Sequence, residues 1–142
     1  MPALDILEQI SRIRTRAQLF IIDELARRGI EDVVPSHGAV LAHLYHNRGP
    51  VPVTALVVAL KRPKSTITKT TDSLESGGYL SKRSNPGDGR SYLVDLTPRG
   101  RECYGVFTEI SERLEDRLLK GLSQEDRQTF SRLLCALEEN LE

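Results

Sequence analysis

Apolar residues recur along the first part of the chain at steps of four, three, four and three: Ile6, Ile10, Ile13, Ala17 and Phe20. Arg12, Arg14, Arg16, Arg27 and Arg28 lie mostly off that stripe, so the spacing predicts a long amphipathic helix over about residues 4–28, stopped by Gly29. A second helix is expected from Pro35, with Val40, Leu41 and Leu44 facing inward, until Asn47-Arg48-Gly49-Pro50 breaks it. A third spans about 53–60. A fourth opens on Pro63 and runs to about Ser76, with Ile67 and Leu74 directed to the core.

After Gly77-Gly78 the period changes from helix to strand. Tyr79 to Arg83 and Ser91 to Leu96 read as two strands around the turn formers Asn85-Pro86-Gly87-Asp88-Gly89. Thr97 then caps a helix that starts at Pro98 and continues to about Lys120, with Cys103, Phe107, Ile110, Leu114 and Leu118 on one side. Gly121 ends it. Ser123 with Asp126 caps a last helix carrying Phe130, Leu133, Leu134, Leu137 and Leu141. The predicted fold class is mainly α with a small β-hairpin wing: a winged module over about 34–98, flanked by helices at about 4–28 and 99–141. Those outer helices have too little middle domain to bury against, so a second copy sharing their apolar stripes, a homodimer, is expected.

Composition changes little in this picture, but charge does. The chain is neutral, with 20 basic and 20 acidic side chains. Residues 61–101 nevertheless hold nine basic against four acidic groups, a net +5, and the remainder is −5. A cationic module in an anionic chain focuses positive potential on one surface. Within it, Lys64, Ser65, Thr66, Thr68 and Lys69 stud the fourth helix, and Lys82, Arg83, Asp88 and Arg90 lie on the hairpin. Short hydroxyls and lysines suit phosphates and base edges, and a guanidinium suits a narrow, negative minor groove. A solvated helix face and a simple Asp-Gly turn are the plainer alternatives.

These residues, in this order, resemble the MarR (multiple antibiotic resistance regulator) family of winged helix-turn-helix transcription factors. The resemblance is carried by Pro35 to Leu44, Lys64-Ser65-Thr66-Ile67-Thr68-Lys69, Leu74-Glu75-Ser76-Gly77-Gly78-Tyr79-Leu80, Asp88-Gly89-Arg90 and Leu96-Thr97-Pro98-Arg99-Gly100. It implies a cytoplasmic homodimer that binds double-stranded DNA at a pseudo-palindromic operator, usually as a repressor, and is often relieved by a small aromatic or anionic effector. It also implies that Asp88 positions Arg90 and that Arg90 enters the minor groove. The chain departs from the family at Lys61-Arg62-Pro63, where a small residue is usual in the turn, and in the valine-rich Leu56-Val57-Val58-Ala59-Leu60. A winged-helix scaffold for protein interactions, without specific DNA binding, is the alternative reading.

Other chemistry is weaker. His37, His43 and His46 share a helix but lack nearby cysteines or acids, so they are read as surface or interface histidines and not as a metal site. Cys103 and Cys135 fall on or near apolar stripes and are read as buried structural thiols. No cofactor motif, nucleophile elbow or paired catalytic acids occur, which argues against an enzyme. No apolar run approaches the roughly 20 residues of a membrane span. Phe20, Tyr45, Tyr104 and Phe107 are of a kind that lines an effector pocket, though core packing explains them equally.

Overall fold

The computed structural model describes residues 2–142. Helix α1 (Pro2–Arg27) is followed by a 3-10 turn (Pro35–His37), α2 (Gly38–His46), β1 (Val51–Pro52), α3 (Val53–Leu60) and α4 (Lys64–Ser76). Strands β2 (Leu80–Ser84) and β3 (Tyr92–Leu96) form the wing, and α5 (Pro98–Glu102), α6 (Tyr104–Leu118) and α7 (Gln124–Glu139) complete the chain. Gly29 closes α1 with φ +73°, and the Ile30 amide returns to the Leu25 carbonyl, the left-handed exit that glycine adopts without strain.

Three local differences from the sequence reading have physical causes. Pro63 is the residue before the helix and not its first member, because its ψ of 147° is extended. The helix expected from Pro98 is two: Thr97 Oγ1 accepts the Gly100 amide to start α5, and the chain re-registers at Cys103 before α6. The hairpin is also a three-stranded antiparallel sheet in the order β1-β3-β2, with Val51 opposite Val94, and Leu80 and Lys82 opposite Leu96 and Val94. That extra strand is two residues long.

The core sits under this sheet. Val40, Val53, Leu56, Ile67, Leu74 and Val94 are fully buried, joined by Leu41, Leu44, Tyr79 and Leu80. They come from α2, α3, α4 and the sheet, so the winged module closes around its own apolar groups. Tyr79 also anchors three segments: its hydroxyl donates to Asp32 Oδ1 (2.7 Å), and the Arg99 guanidinium stacks 4.5 Å from its ring. Burial and the bond to Asp32 push the Tyr79 phenol up to about 12. Nearby, a Cβ on Gly100 would collide with the Tyr79 carbonyl oxygen, so only glycine lets α5 approach the segment leading into β2 this closely.

The long helices are joined by charge at one point and otherwise thinly covered. Glu24 of α1 is buried and receives Arg28 (2.6 Å) and Arg113 of α6 (3.2 Å), which hold its carboxyl below the usual range. Leu4, Ile6, Leu7, Ile10 and Ile13 of α1 are exposed, and α7 has no buried residue. Cys135 is exposed on α7 and Cys103 half-buried, so neither is the buried thiol expected from the stripes. Each stripe is apolar, but on α7 nothing among the described residues covers it.

Candidate nucleic-acid interface

Helix α4 divides its circumference three ways. Ile67, Thr70, Thr71 and Leu74 face the core and are buried. Ser65, Thr66, Lys69 and Ser73 are exposed, a stripe at helical spacing with no apolar member. Lys64, Thr68, Asp72 and Glu75 form the third face, turned toward the wing. The absence of β-branched aliphatics other than Ile67 leaves the exposed face short and polar, which lets a helix approach another polymer closely.

The wing is tied to that third face at successive turns. Lys64 Nζ donates to the Arg90 carbonyl (2.8 Å). Tyr92 Oη lies 3.2 Å from both Thr68 Oγ1 and Thr71 Oγ1. Lys82 Nζ pairs with Asp72 and sits 4.7 Å over the Tyr92 ring, while the Lys82 amide donates to Glu75 Oε2 (3.1 Å). Helix and ribbon are therefore one surface, with the exposed stripe of α4 beside the basic wing.

All nine residues singled out from sequence lie on α4 or the wing, but the structure separates them by what they touch. Ser65, Thr66, Lys69, Arg83 and Arg90 are exposed, and among the described residues the side chains of Lys69, Arg83 and Arg90 make no ion pair. Lys64, Thr68 and Lys82 are bonded within the protein. Asp88 does hold Arg90, but through the backbone: Asp88 Oδ1 accepts the Arg90 amide (2.9 Å), and the guanidinium is left free. The carboxylate shapes the turn that presents the arginine. The ties that Tyr92 and Asp72 make between wing and helix carry no mark in the sequence, since their partners lie ten or more positions away.

Behind this surface, α1, α2 and α6 enclose a cavity of about 370 Å³. Tyr45, Tyr104 and Phe107 line it, and Tyr45 and Phe107 also pack against the core, whereas Phe20 does not line it and instead stacks under Arg117. Tyr45 and Tyr104 meet edge to face at 4.9 Å, and Tyr45 Oη donates to the Gly100 carbonyl (2.6 Å). Burial pushes the Tyr45 phenol up. His37, expected at the surface, is instead buried beside Val34, whose amide donates to its Nδ1 (3.2 Å).

Known proteins with this arrangement point one way. A mutant MarR from E. coli, complexed with operator DNA, superposes over 96% of this chain and 95% of its own with a TM-score of 0.80 at 21% identity, a likeness of fold. Two Bacillus subtilis (strain 168) proteins match in sequence. The uncharacterized HTH-type transcriptional regulator YkoM is 31% identical over 70% of this chain and 64% of its own. The uncharacterized HTH-type transcriptional regulator YdgJ is 33% identical over 53% of this chain, which spans only 46%, about half, of that protein. These relatives are named as transcriptional regulators, not enzymes. The sequence pattern of the MarR family matches residues 31–91, the segment that holds α2, α3, α4 and most of the wing. Over that segment, which carries the observed winged fold, the chain is similar to the MarR family.

Proposed function

We propose that the protein is a cytoplasmic homodimer that binds a pseudo-palindromic DNA operator and represses transcription from it. The observation that carries this reading is the single surface made by the exposed stripe Ser65, Thr66 and Lys69 and the unpaired Arg83 and Arg90. In this role Ser65, Thr66 and Lys69 enter the major groove on α4, and Arg90 reaches the adjacent minor groove from the wing. Two such surfaces, related by a twofold axis, match a two-half-site operator, and the uncovered stripes of α1 and α7 supply the axis.

The cavity behind α2 suits a small effector that changes the spacing of the two surfaces. Its walls are mainly aromatic and aliphatic, with His46, Thr108 and Ser111 at polar positions, and among the described residues its one Asp, Glu, Lys or Arg is Glu112. A carboxylate in the wall disfavours an anion, so of the two expected classes the neutral aromatic one fits better. A neutral phenol should release DNA at lower concentration than a benzoate of the same size.

Selection of DNA fragments from a genomic pool, followed by affinity measurement over a salt series, tests the central reading. Each phosphate contact contributes about −0.9 to the slope of log affinity against log salt, so several contacts give a steep line. A protein that selects no fragment, or binds with an affinity indifferent to salt, is not an operator-binding regulator.

A further inference from the structure

The donors available fix the proton positions where α4 meets the wing. Thr71 Oγ1 gives its proton to the Thr68 carbonyl (3.1 Å), leaving its lone pairs to accept from Tyr92 Oη. The Tyr92 oxygen in turn accepts from Thr68 Oγ1. The result is a closed chain from the Thr68 hydroxyl to Tyr92 to Thr71 and back to the Thr68 carbonyl, with every hydroxyl proton used. Such chains strengthen cooperatively when shielded from water.

Lys82 completes the cluster from the other side of the ring. Its ammonium is shared between the Asp72 carboxylate and the Tyr92 face, and its side chain is only 15% exposed. Its amide is held by Glu75, one turn beyond Asp72 on α4. Arg83, the next residue, is exposed and has none of these partners. Neighbouring cations on one strand are thus in opposite situations: one is engaged within the protein and the other is free.

We propose that Tyr92 and Lys82 are positioning residues that set the angle between the wing and α4, and that Lys82 is not a phosphate contact. The proposal rests on the DNA-binding reading above. Ser65, Thr66, Lys69, Arg83 and Arg90 meet the nucleic acid; Lys82, Tyr92, Thr68 and Asp72 hold the two reading elements in register so that one operator half-site is met by both at once. Misalignment by a fraction of an ångström at the cluster grows toward the wing tip, so the loss falls on sequence preference.

The full-length protein and a fragment selected by the wild type provide the test. Lys82→Met should weaken binding to that fragment on the order of tenfold while binding to scrambled DNA stays within twofold. Its salt slope should be unchanged. A slope shallower by about 0.9, with specific and scrambled binding weakened alike, would identify Lys82 as an ordinary phosphate contact and overturn the proposal. Tyr92→Phe removes one oxygen without altering packing; a loss of a few fold, smaller still when added to Lys82→Met, is expected. Full additivity of the two would mean the residues act independently and would equally overturn it. Failure of the wild type to prefer any fragment would instead remove the DNA-binding reading, and the proposal with it.

Discussion

In the winged module Leu56, Ile67 and Leu74 are completely buried, whereas on α7 Phe130, Leu133 and Leu137 remain about half exposed. Both regions carry similar apolar stripes in sequence, at similar helical spacing. The difference is what stands opposite. Around α3 and α4 the chain returns three times, through α2, β1 and β3, and the stripe meets side chains at close-packed distance. Along α7 no described residue is buried. Among the described residues its C-terminal end reaches the rest of the molecule through Lys61, which pairs with Glu142 (2.9 Å) and Glu138 (4.0 Å), an exposed contact that supports little on its own. A stripe that is buried by its own chain belongs to folding; one left uncovered needs another molecule.

The strongest way to break this contrast is to charge the uncovered stripe. Leu133→Asp with Leu137→Asp places two carboxylates where a second copy is expected to pack, at a cost on the order of several kcal/mol if they are buried there. Sedimentation should then show monomer or aggregate where the wild type shows dimer. A soluble dimer of unchanged affinity would put the interface elsewhere. Within the module the comparison can be sharpened on a single helix. Leu56→Ala should cost about 2–5 kcal/mol in denaturant unfolding, since the side chain is fully enclosed. Val58→Ala, two residues on and 78% exposed, should stay within about 0.5 kcal/mol. Equal losses at the two positions would mean that Val58 is covered in the assembled protein.

A smaller effect is expected at the wing tip. Arg90→Ala should weaken operator binding about tenfold, or ~1.4 kcal/mol, with melting and dimerisation unchanged. The same residue shows how far sequence reaches. Its place on a turn between two strands was legible, because Asn85 to Gly89 are turn formers and the flanking residues alternate. The bond that shapes the turn was not: an aspartate two residues before an arginine suggests an ion pair, while Asp88 in fact takes the Arg90 amide. The helices were legible for the same local reason, as Ile67 and Leu74 or Phe130 and Leu134 declare their face by spacing alone. β1 was invisible because two residues, one a proline, carry no period, and only the partner Val94 makes Val51 a strand. The break at Cys103 and the left-handed Lys61 (φ 49°) likewise have no turn former at that point in the sequence to announce them. Local chemistry writes the elements; ties across the fold, such as Lys82 to Asp72, are written by their meeting.

The gentlest test of the closed module is pH. His37 is buried, and burial lowers its pKa below the ordinary histidine value despite the opposing charge of Asp32. A depressed pKa means that the unfolded chain binds a proton the folded chain resists. Stability from this site is therefore complete above pH of about 6.5 and is lost as pH falls toward the folded pKa. Protonation also removes the lone pair that accepts the Val34 amide, so the loss has a structural cause at the start of α2. One proton limits the slope to about 1.4 kcal/mol per pH unit. Denaturant unfolding between pH 7 and 5 should show a decline of that sense. His37→Gln can keep an acceptor for Val34 without titrating, and should flatten this part of the profile. An unaltered profile in that variant would mean that a group other than His37 carries the decline.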